Sequence, residues 1–203
     1  MQESLHKLEA GRRGGRRLLE LNLISGDLLE RICLKPIVWL LLLFVIFLPG
    51  TEMAAGEMIP ALEAKNLRGE VVRLPADMAF EPAVLVLSFT RKGGDAAVAW
   101  DRQLASQLPA GTRLYSLLML GGVPGWLRGA LLSGIRSGLP VEARSRFVAV
   151  FERNEEWRRI SGYRGGDDAW VLYLSPGGEL LSVSHGQGRA EEIAAFLQQI
   201  KGR

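Results

Sequence analysis

The residues best equipped to hold a ligand stand together in Thr90-Arg91-Lys92-Gly93-Gly94-Asp95, between the apolar run Ala83 to Phe89 and a following helix. Two cations beside two glycines at a strand-to-helix junction offer a guanidinium, an ammonium and the backbone N–H groups of Gly93 and Gly94. That donor set receives a carboxylate or a phosphate. Arg128 and Arg136, on a later helical segment with Trp126, are candidates to join Arg91 and Lys92. Read conservatively, the same side chains are ordinary surface charges beside a Gly turn.

The other reactive residue types offer less. His185 sits in Ser184-His185-Gly186, and the only other histidine, His6, lies on the far side of a long apolar run. A catalytic or metal-bound imidazole needs a partner to fix its tautomer, so His185 reads as an exposed turn residue. One cysteine, Cys33, permits no internal disulfide, and one Cys with two His is too few for a metal cluster. Gly186-Gln187-Gly188-Arg189 looks like a phosphate loop, but the chain stops before the crossover and the ribose-binding acid that a dinucleotide fingerprint requires. Ser133-Gly134 lacks the strand-turn-helix flanks of a nucleophile elbow. Glu155-Glu156 and Asp167-Asp168 are adjacent in sequence and read as solvated. No catalytic residue, cofactor or metal is expected.

The formal charge of +3 in 203 residues comes mostly from one end. Up to Lys35 there are seven Lys/Arg against five Asp/Glu, and the remainder carries 18 against 17. Cations interspersed with acids make no phosphate-tracking stripe, so nucleic acid is not an expected partner.

Residues 1-35 form a basic N-terminal tail, with the Gly/Arg cluster Gly11 to Arg17 followed by Leu18 to Ile32, which has the spacing of an amphipathic surface helix interrupted near Gly26. A translation start later than Met1 is the competing account of its length. Residues 36-51 hold the uninterrupted apolar run Ile37 to Leu48. At ~1.5 Å per residue that run is shorter than the ~30 Å of a bilayer core, which favours a signal peptide, with Ala54-Ala55-Gly56 as the small-residue cut site. With Ile32 to Leu34 added and Lys35 snorkelling, it serves as an uncleaved anchor. Basic residues before it and Glu52, Glu57 and Glu63 after it put the domain on the periplasmic or extracytoplasmic side in either case.

Residues 58-203 read as one folded domain. A hairpin from Ile59 to Leu74 turns at Arg68-Gly69-Glu70, and Pro75 to Pro82 is a connector. Ala83 to Phe89 is a strand buried on both faces, Asp95 to Leu108 a helix, and Arg113 to Leu120 a second buried strand. Strand, helix, strand with apolar parallel-type strands makes the domain α/β. Phe147 to Phe151 is a further strand and Asn154 to Ile160 a short helix. Trp170 to Leu174 and Glu179 to Ser184 pair across Ser175-Pro176-Gly177-Gly178, and a terminal helix follows. Trp100, Trp157 and Trp170 have apolar neighbours and read as core.

The segment GWLRGALLSGIRSGLP after Pro124 is unusual in having small residues Gly125, Gly129, Ser133 and Ser137 four apart. Two readings fit: a docking helix for a membrane partner, since small residues allow close helix approach, or a helix lying tightly on its own sheet, because Gly in a helix interior is costly unless something packs there.

This order of elements, with the closing stretch AWVLYLSPGGELLSVSHG from Ala169 to Gly186, resembles the thioredoxin or peroxiredoxin-like superfamily. The resemblance implies a thioredoxin-like fold, a central mixed sheet flanked by helices. In that superfamily the junction after the central strand carries redox cysteines, where a helix N-terminus stabilises a thiolate, and a cis-proline precedes the penultimate strand. Here the junction has no cysteine and Asp168-Ala169 takes the place of the proline. A narrower likeness is to the mitochondrial ATP synthase assembly chaperone family and its bacterial relatives. It is carried by Ser88-Phe89-Thr90-Arg91, Trp100, the stretch Trp126 to Phe147, and Gly162-Tyr163. Ser175 and Leu181-Ser182 depart from that family's closing hairpin, which has an Asp and an Arg-Trp pair there; a periplasmic thioredoxin-like family is about as close.

The expectation is therefore a redox-inactive, exported or membrane-anchored binding or assembly module for a protein client, a membrane protein among the candidates. The alternatives are a thiol-dependent oxidoreductase using a partner's cysteine and a structural domain that forms homodimers through the helix after Pro124.

Overall fold

In the computed structural model of this chain, residues 56–202 are described. The expected tail at 1-35 and the apolar segment at 36-51 lie outside the described residues.

β3 (Ala83–Ser88) is buried along its whole length, as an unbroken apolar run requires. It stands in the middle of a five-stranded sheet ordered β5-β4-β3-β6-β7. The partners are β4 (Arg113–Met119), β5 (Phe147–Val150), β6 (Ala169–Leu174) and β7 (Leu180–Gly186). β3, β4 and β5 run parallel, while β6 is antiparallel to both β3 and β7. The sheet is therefore mixed. A separate antiparallel hairpin, β1 (Leu62–Lys65) with β2 (Val71–Leu74), pairs Leu62 with Leu74.

Alternation along β3 sorts the core into two layers. Leu85 and Leu87 pack with Val72, Leu74 and Met78 and with Trp157 and Ile160 of helix α3 (Asn154–Ser161). On the other face Val84 and Val86 meet Ala97, Trp100 and Leu104 of helix α1 (Arg91–Gln107), and Ile193 and Phe196 of helix α4 (Ala190–Lys201). Trp100 and Trp157 are core residues as expected, and Trp170 is half-buried against the first layer. A buried bidentate pair fastens α1 to the chain ahead of β5: Arg146 donates to both oxygens of Asp101 at 3.0 and 2.6 Å. Asp101 is 2% exposed.

Helix α2 (Gly125–Gly138) connects β4 to β5 and buries no residue. Only its half-buried Leu132 and Ile135 reach the small cluster of Leu67, Leu118, Leu139, Ala143 and Phe147. A Cβ placed on Gly125, Gly129, Gly134 or Gly138 would meet nothing within 4 Å. This overturns the reading of α2 as a helix lying tightly on its own sheet. Leu132 and Ile135 along one edge seat it, and its glycines have no close neighbour.

Candidate functional site

The junction after β3 starts its helix earlier than the apolar periodicity implies. Thr90 is extended at φ −132°, and its Oγ1 accepts the N–H of Gly93 at 3.0 Å, so it is the N-cap and α1 begins at Arg91 instead of Asp95. The N–H of Gly94 goes to the Thr90 carbonyl at 3.0 Å. The anion cradle expected at Gly93 and Gly94 is therefore occupied by the chain itself, because a Ser/Thr cap satisfies the donors a ligand would use. Gly93 has a packing role: a Cβ there would stand 3.2 Å from the carbonyl oxygen of Asp168.

Asp167 and Asp168 lie against this junction at the start of β6, and both are engaged. This corrects their reading as solvated acids. Thr90 Oγ1 donates to Asp167 Oδ1 at 2.9 Å, and Lys92 Nζ is 3.6 Å from Asp167 Oδ2. Asp168 Oδ1 accepts from Gln187 Nε2 at 2.5 Å, and its Oδ2 lies 3.1 Å from His185 Nδ1. The Gln187 hydrogen bond, with a smaller contribution from His185, holds the Asp168 carboxyl below the ordinary range against its partial burial. His185 belongs to β7, where it is the cross-strand partner of Trp170, and the two rings stack at 4.7 Å. It is a partnered strand residue, not an isolated turn histidine.

The result is a polar interlock joining the start of α1, the start of β6 and the end of β7. Thr90 bonds one carboxylate and His185 the other, so the imidazole is not placed to take the Thr90 proton and the set is not a nucleophile relay. Among the described residues no group of three or more His, Cys, Asp or Glu is arranged to hold a metal ion.

Beside the interlock opens a groove of about 920 Å³ between α1 and α2. Arg91, Gly94 and Val98 form one wall; Ala130, Gly134 and Gly138 form the other; Leu118 and Phe147 lie at its base. Gly94, Gly134 and Gly138 would each project a Cβ into open space, so main chain is approachable from both walls.

The expected four-cation patch is not formed. Arg91 lines the groove, and Lys92 turns to Asp167. Arg128 and Arg136 project from the other side of α2 into a separate cavity of about 430 Å³ with β1 and Phe151. Arg128 donates to the Val123 carbonyl at 3.2 Å and covers the Phe151 ring at 4.3 Å, while Arg136 donates to the Leu67 carbonyl at 2.9 Å. Both arginines point back to their own fold, where the backbone carbonyls of Val123 and Leu67 lie within reach. Trp126 lines neither cavity and is 81% exposed.

These features can be set beside solved structures. The DsbE thiol:disulfide interchange protein of Chlorobium tepidum matches with a TM-score of 0.53 and 16% identity, over 74% of this chain and 98% of that one. The exposed lipoprotein thioredoxin Etrx1 of Streptococcus pneumoniae matches at 0.51 and 14%, over 69% and 99%. The fold is thioredoxin-like. An electron transfer protein of Aquifex aeolicus gives 0.51 and 11%, over 71% and 91%. At such identities the likeness is one of fold. No protein-family model and no curated protein matches the sequence.

Within this thioredoxin-like frame, the interlock falls where the superfamily resemblance puts the redox thiols and the proline loop. Sequence reasoning named the junction but missed Asp167, Asp168, His185 and Gln187 as its lining. Counting back from the Ser175–Gly178 turn does not reveal it, because the β6–β7 ladder shifts register between Tyr173 and Leu174, and only that shift sets His185 opposite Trp170.

Proposed function

We propose that this chain is a redox-inactive thioredoxin-like binding module that holds a protein client in the groove between α1 and α2. The observation that carries the reading is that groove, apolar at its base and walled by uncovered glycines. It opens beside a junction whose Gly93 and Gly94 N–H groups are taken by Thr90 and which has no sulfur. Such a surface binds without exchanging electrons, because no residue after Gly56 forms a thiolate. The chain is not an enzyme on this reading and takes no cofactor. Arg91 at the groove wall supplies the one charge-bearing anchor retained from the expected cation patch, alongside Asp95.

The apolar run Ile37 to Leu48 and the acids that follow it support export or membrane anchoring, with the domain extracytoplasmic. One protein of similar fold is an exposed lipoprotein, which is consistent with that address. The likeness to the ATP synthase assembly chaperones makes a membrane-protein subunit the client to seek first.

The test pairs two variants of the full chain in membranes. Gly134→Leu fills the groove from a position where a Cβ meets nothing, so folding persists while photo-crosslinking from position 131 to the client falls. Undiminished crosslinking to the same client removes the groove from the proposal. Cys33→Ser is then assayed for insulin reduction. Turnover above background at the purified chain overturns redox inactivity. Turnover that appears only with a thiol-bearing partner supports the alternative oxidoreductase, a reading the thiol:disulfide names among similar folds favour.

A further inference from the structure

The cavity of about 430 Å³ lies between β1, β5 and α2, and none of the residues lining it lines the groove. It exists because β5 is an edge strand of the main sheet while β1 belongs to the separate hairpin. The two meet at the Asn66–Val148 bridge, where the Leu67 N–H donates to the Phe147 carbonyl at 2.9 Å, and among the described residues no strand pairing continues beyond it. α2 closes the third side with Arg128, Leu132 and Arg136, whose spacing of four puts them on one face of the helix. Leu62, Val150 and Phe151 complete an apolar lining.

The two arginines are held in place without being used up. Nε of Arg128 donates to the Val123 carbonyl and Nε of Arg136 to the Leu67 carbonyl, and Arg128 also covers the Phe151 ring. Among the described residues, the terminal nitrogens of both have no hydrogen-bond or ion-pair partner. A guanidinium already fixed by its own backbone loses little freedom when it takes an anion. Its free edge offers the paired donors that a carboxylate accepts.

Charge points the same way. The lining sets Lys65, Arg128, Arg136 and Arg153 against Glu63 and Glu152, an excess of two cations. Glu63 is 3.1 Å from Arg73 and Arg153 is 3.5 Å from Glu156, both partners outside the lining. What remains, Lys65, Arg128 and Arg136 against Glu152, is again an excess of two. Arg128 and Arg136 stand eight residues apart on α2, about 12 Å along the helix axis. Two fixed guanidiniums with an apolar surface between them fit a slender molecule that has a hydrocarbon middle and an anionic group at each end. The volume is that of a small-molecule site.

We infer that this cavity binds an α,ω-dicarboxylate, its ends on Arg128 and Arg136 and its middle on Leu132, Val150 and Phe151. The site stands or fails independently of the client reading, since it shares no lining residue with the groove.

Sebacate (decanedioate) is the probe. It is titrated into the full chain in detergent while arginine Nε–H signals are followed by NMR, those of Arg128 and Arg136 being assigned by their loss in Arg128→Lys and Arg136→Lys. Both signals are expected to move along one saturation curve. The monoamide of sebacate is expected to bind about tenfold more weakly, and the diamide not measurably. This comparison needs no substitution. Arg128→Gln and Arg136→Gln are each expected to weaken sebacate about tenfold and to remove its advantage over the monoamide. Arg91→Gln, in the groove wall, leaves sebacate binding unchanged. Amide signals away from α2 show that each variant remains folded. Equal binding of sebacate and its diamide overturns the inference. So does a shift at only one of the two arginine signals, or a sebacate affinity untouched in both glutamine variants.

Discussion

Helices α1 and α2 are the two crossovers of one parallel ladder, β3 to β4 to β5, yet α1 buries Ala96, Ala97, Trp100, Asp101 and Leu104 while α2 buries nothing. α1 opens on a threonine cap whose hydroxyl also bonds Asp167. α2 opens on Pro124 without a side-chain cap. The difference teaches where this chain spends its specificity: α1 is tied into the fold along one buried face, and α2 is left with its backbone and its largest aromatic side chain in the open. A helix whose glycines touch nothing is stabilised poorly by its own fold.

The sharpest way to break that contrast is to exchange the fates of two tryptophans. Trp100 is buried, sits edge-on to Phe196 at 5.9 Å, and donates to the Gly186 carbonyl at 3.1 Å. Trp100→Ala is expected to cost about 3–5 kcal/mol of unfolding free energy. Trp126→Ala is expected to change it by less than about 0.5 kcal/mol, because the side chain is exposed. Urea denaturation of both variants measures this, and a comparable loss at Trp126 would place α2 in the core.

Next in size is the pair that fastens α1. Arg146→Met leaves Asp101 buried without its partner and is expected to cost about 3 kcal/mol. Arg136→Met removes one part-buried hydrogen bond to the Leu67 carbonyl and is expected to cost about 1 kcal/mol. Thermal melts of the two variants suffice, and equal losses would mean that α2 is anchored as firmly as α1.

Glycine substitutions sharpen the contrast by sign. Gly188 lies at φ +77°, and a Cβ there would stand 2.9 Å from the Trp100 backbone nitrogen on α1. Gly188→Ala is expected to destabilise by about 1–3 kcal/mol. Gly134→Ala is expected to stabilise by roughly 0.5–1 kcal/mol, because it enters open space and gains helix propensity. A loss at both positions would show that α2 has a close neighbour after all.

Much of this architecture was legible because it rests on local pattern. The apolar run Ala83 to Phe89 reads as a doubly buried strand, and the Pro-Gly turn at 176–177 reads as a hairpin; both are present. The start of α1 was missed because apolar spacing begins at Ala96, whereas the helix is nucleated by a cap that periodicity cannot register. The interlock was missed for a different reason. Asp167, Asp168 and His185 acquire partners only when β6 enters beside β3, a pairing that spans most of the domain. The four-cation patch failed on direction: Arg128 and Arg136 share a helix with Ala130 and Gly134 but project to its opposite side.

The smallest effect is acid sensitivity confined to the α1 end. Asp168 has its carboxyl held below the usual value, by Gln187 first and His185 second. A depressed folded pKa gives stability that is present above the unfolded value of about 3.9 and is lost as pH falls through the folded one. Asp168 is partly exposed, so the loss is expected to be well under the ~1.4 kcal/mol that a full pKa unit carries. Glu192 adds to the same limb: its burial opposes ionisation but is outweighed by the hydrogen bonds from Arg189 and Gly188. Below about pH 4, amides at the first turn of α1 and at the β6 start should therefore lose protection, and Asp168→Asn should flatten that response without removing the part due to Glu192. The stretch Gly121 to Val141 has no acid to titrate, so α2 amides should exchange at the same intrinsic-corrected rate on both sides of that pH. If α2 loosens together with α1, the two crossovers are one cooperative unit, and the division of labour between a locked helix and an open one fails.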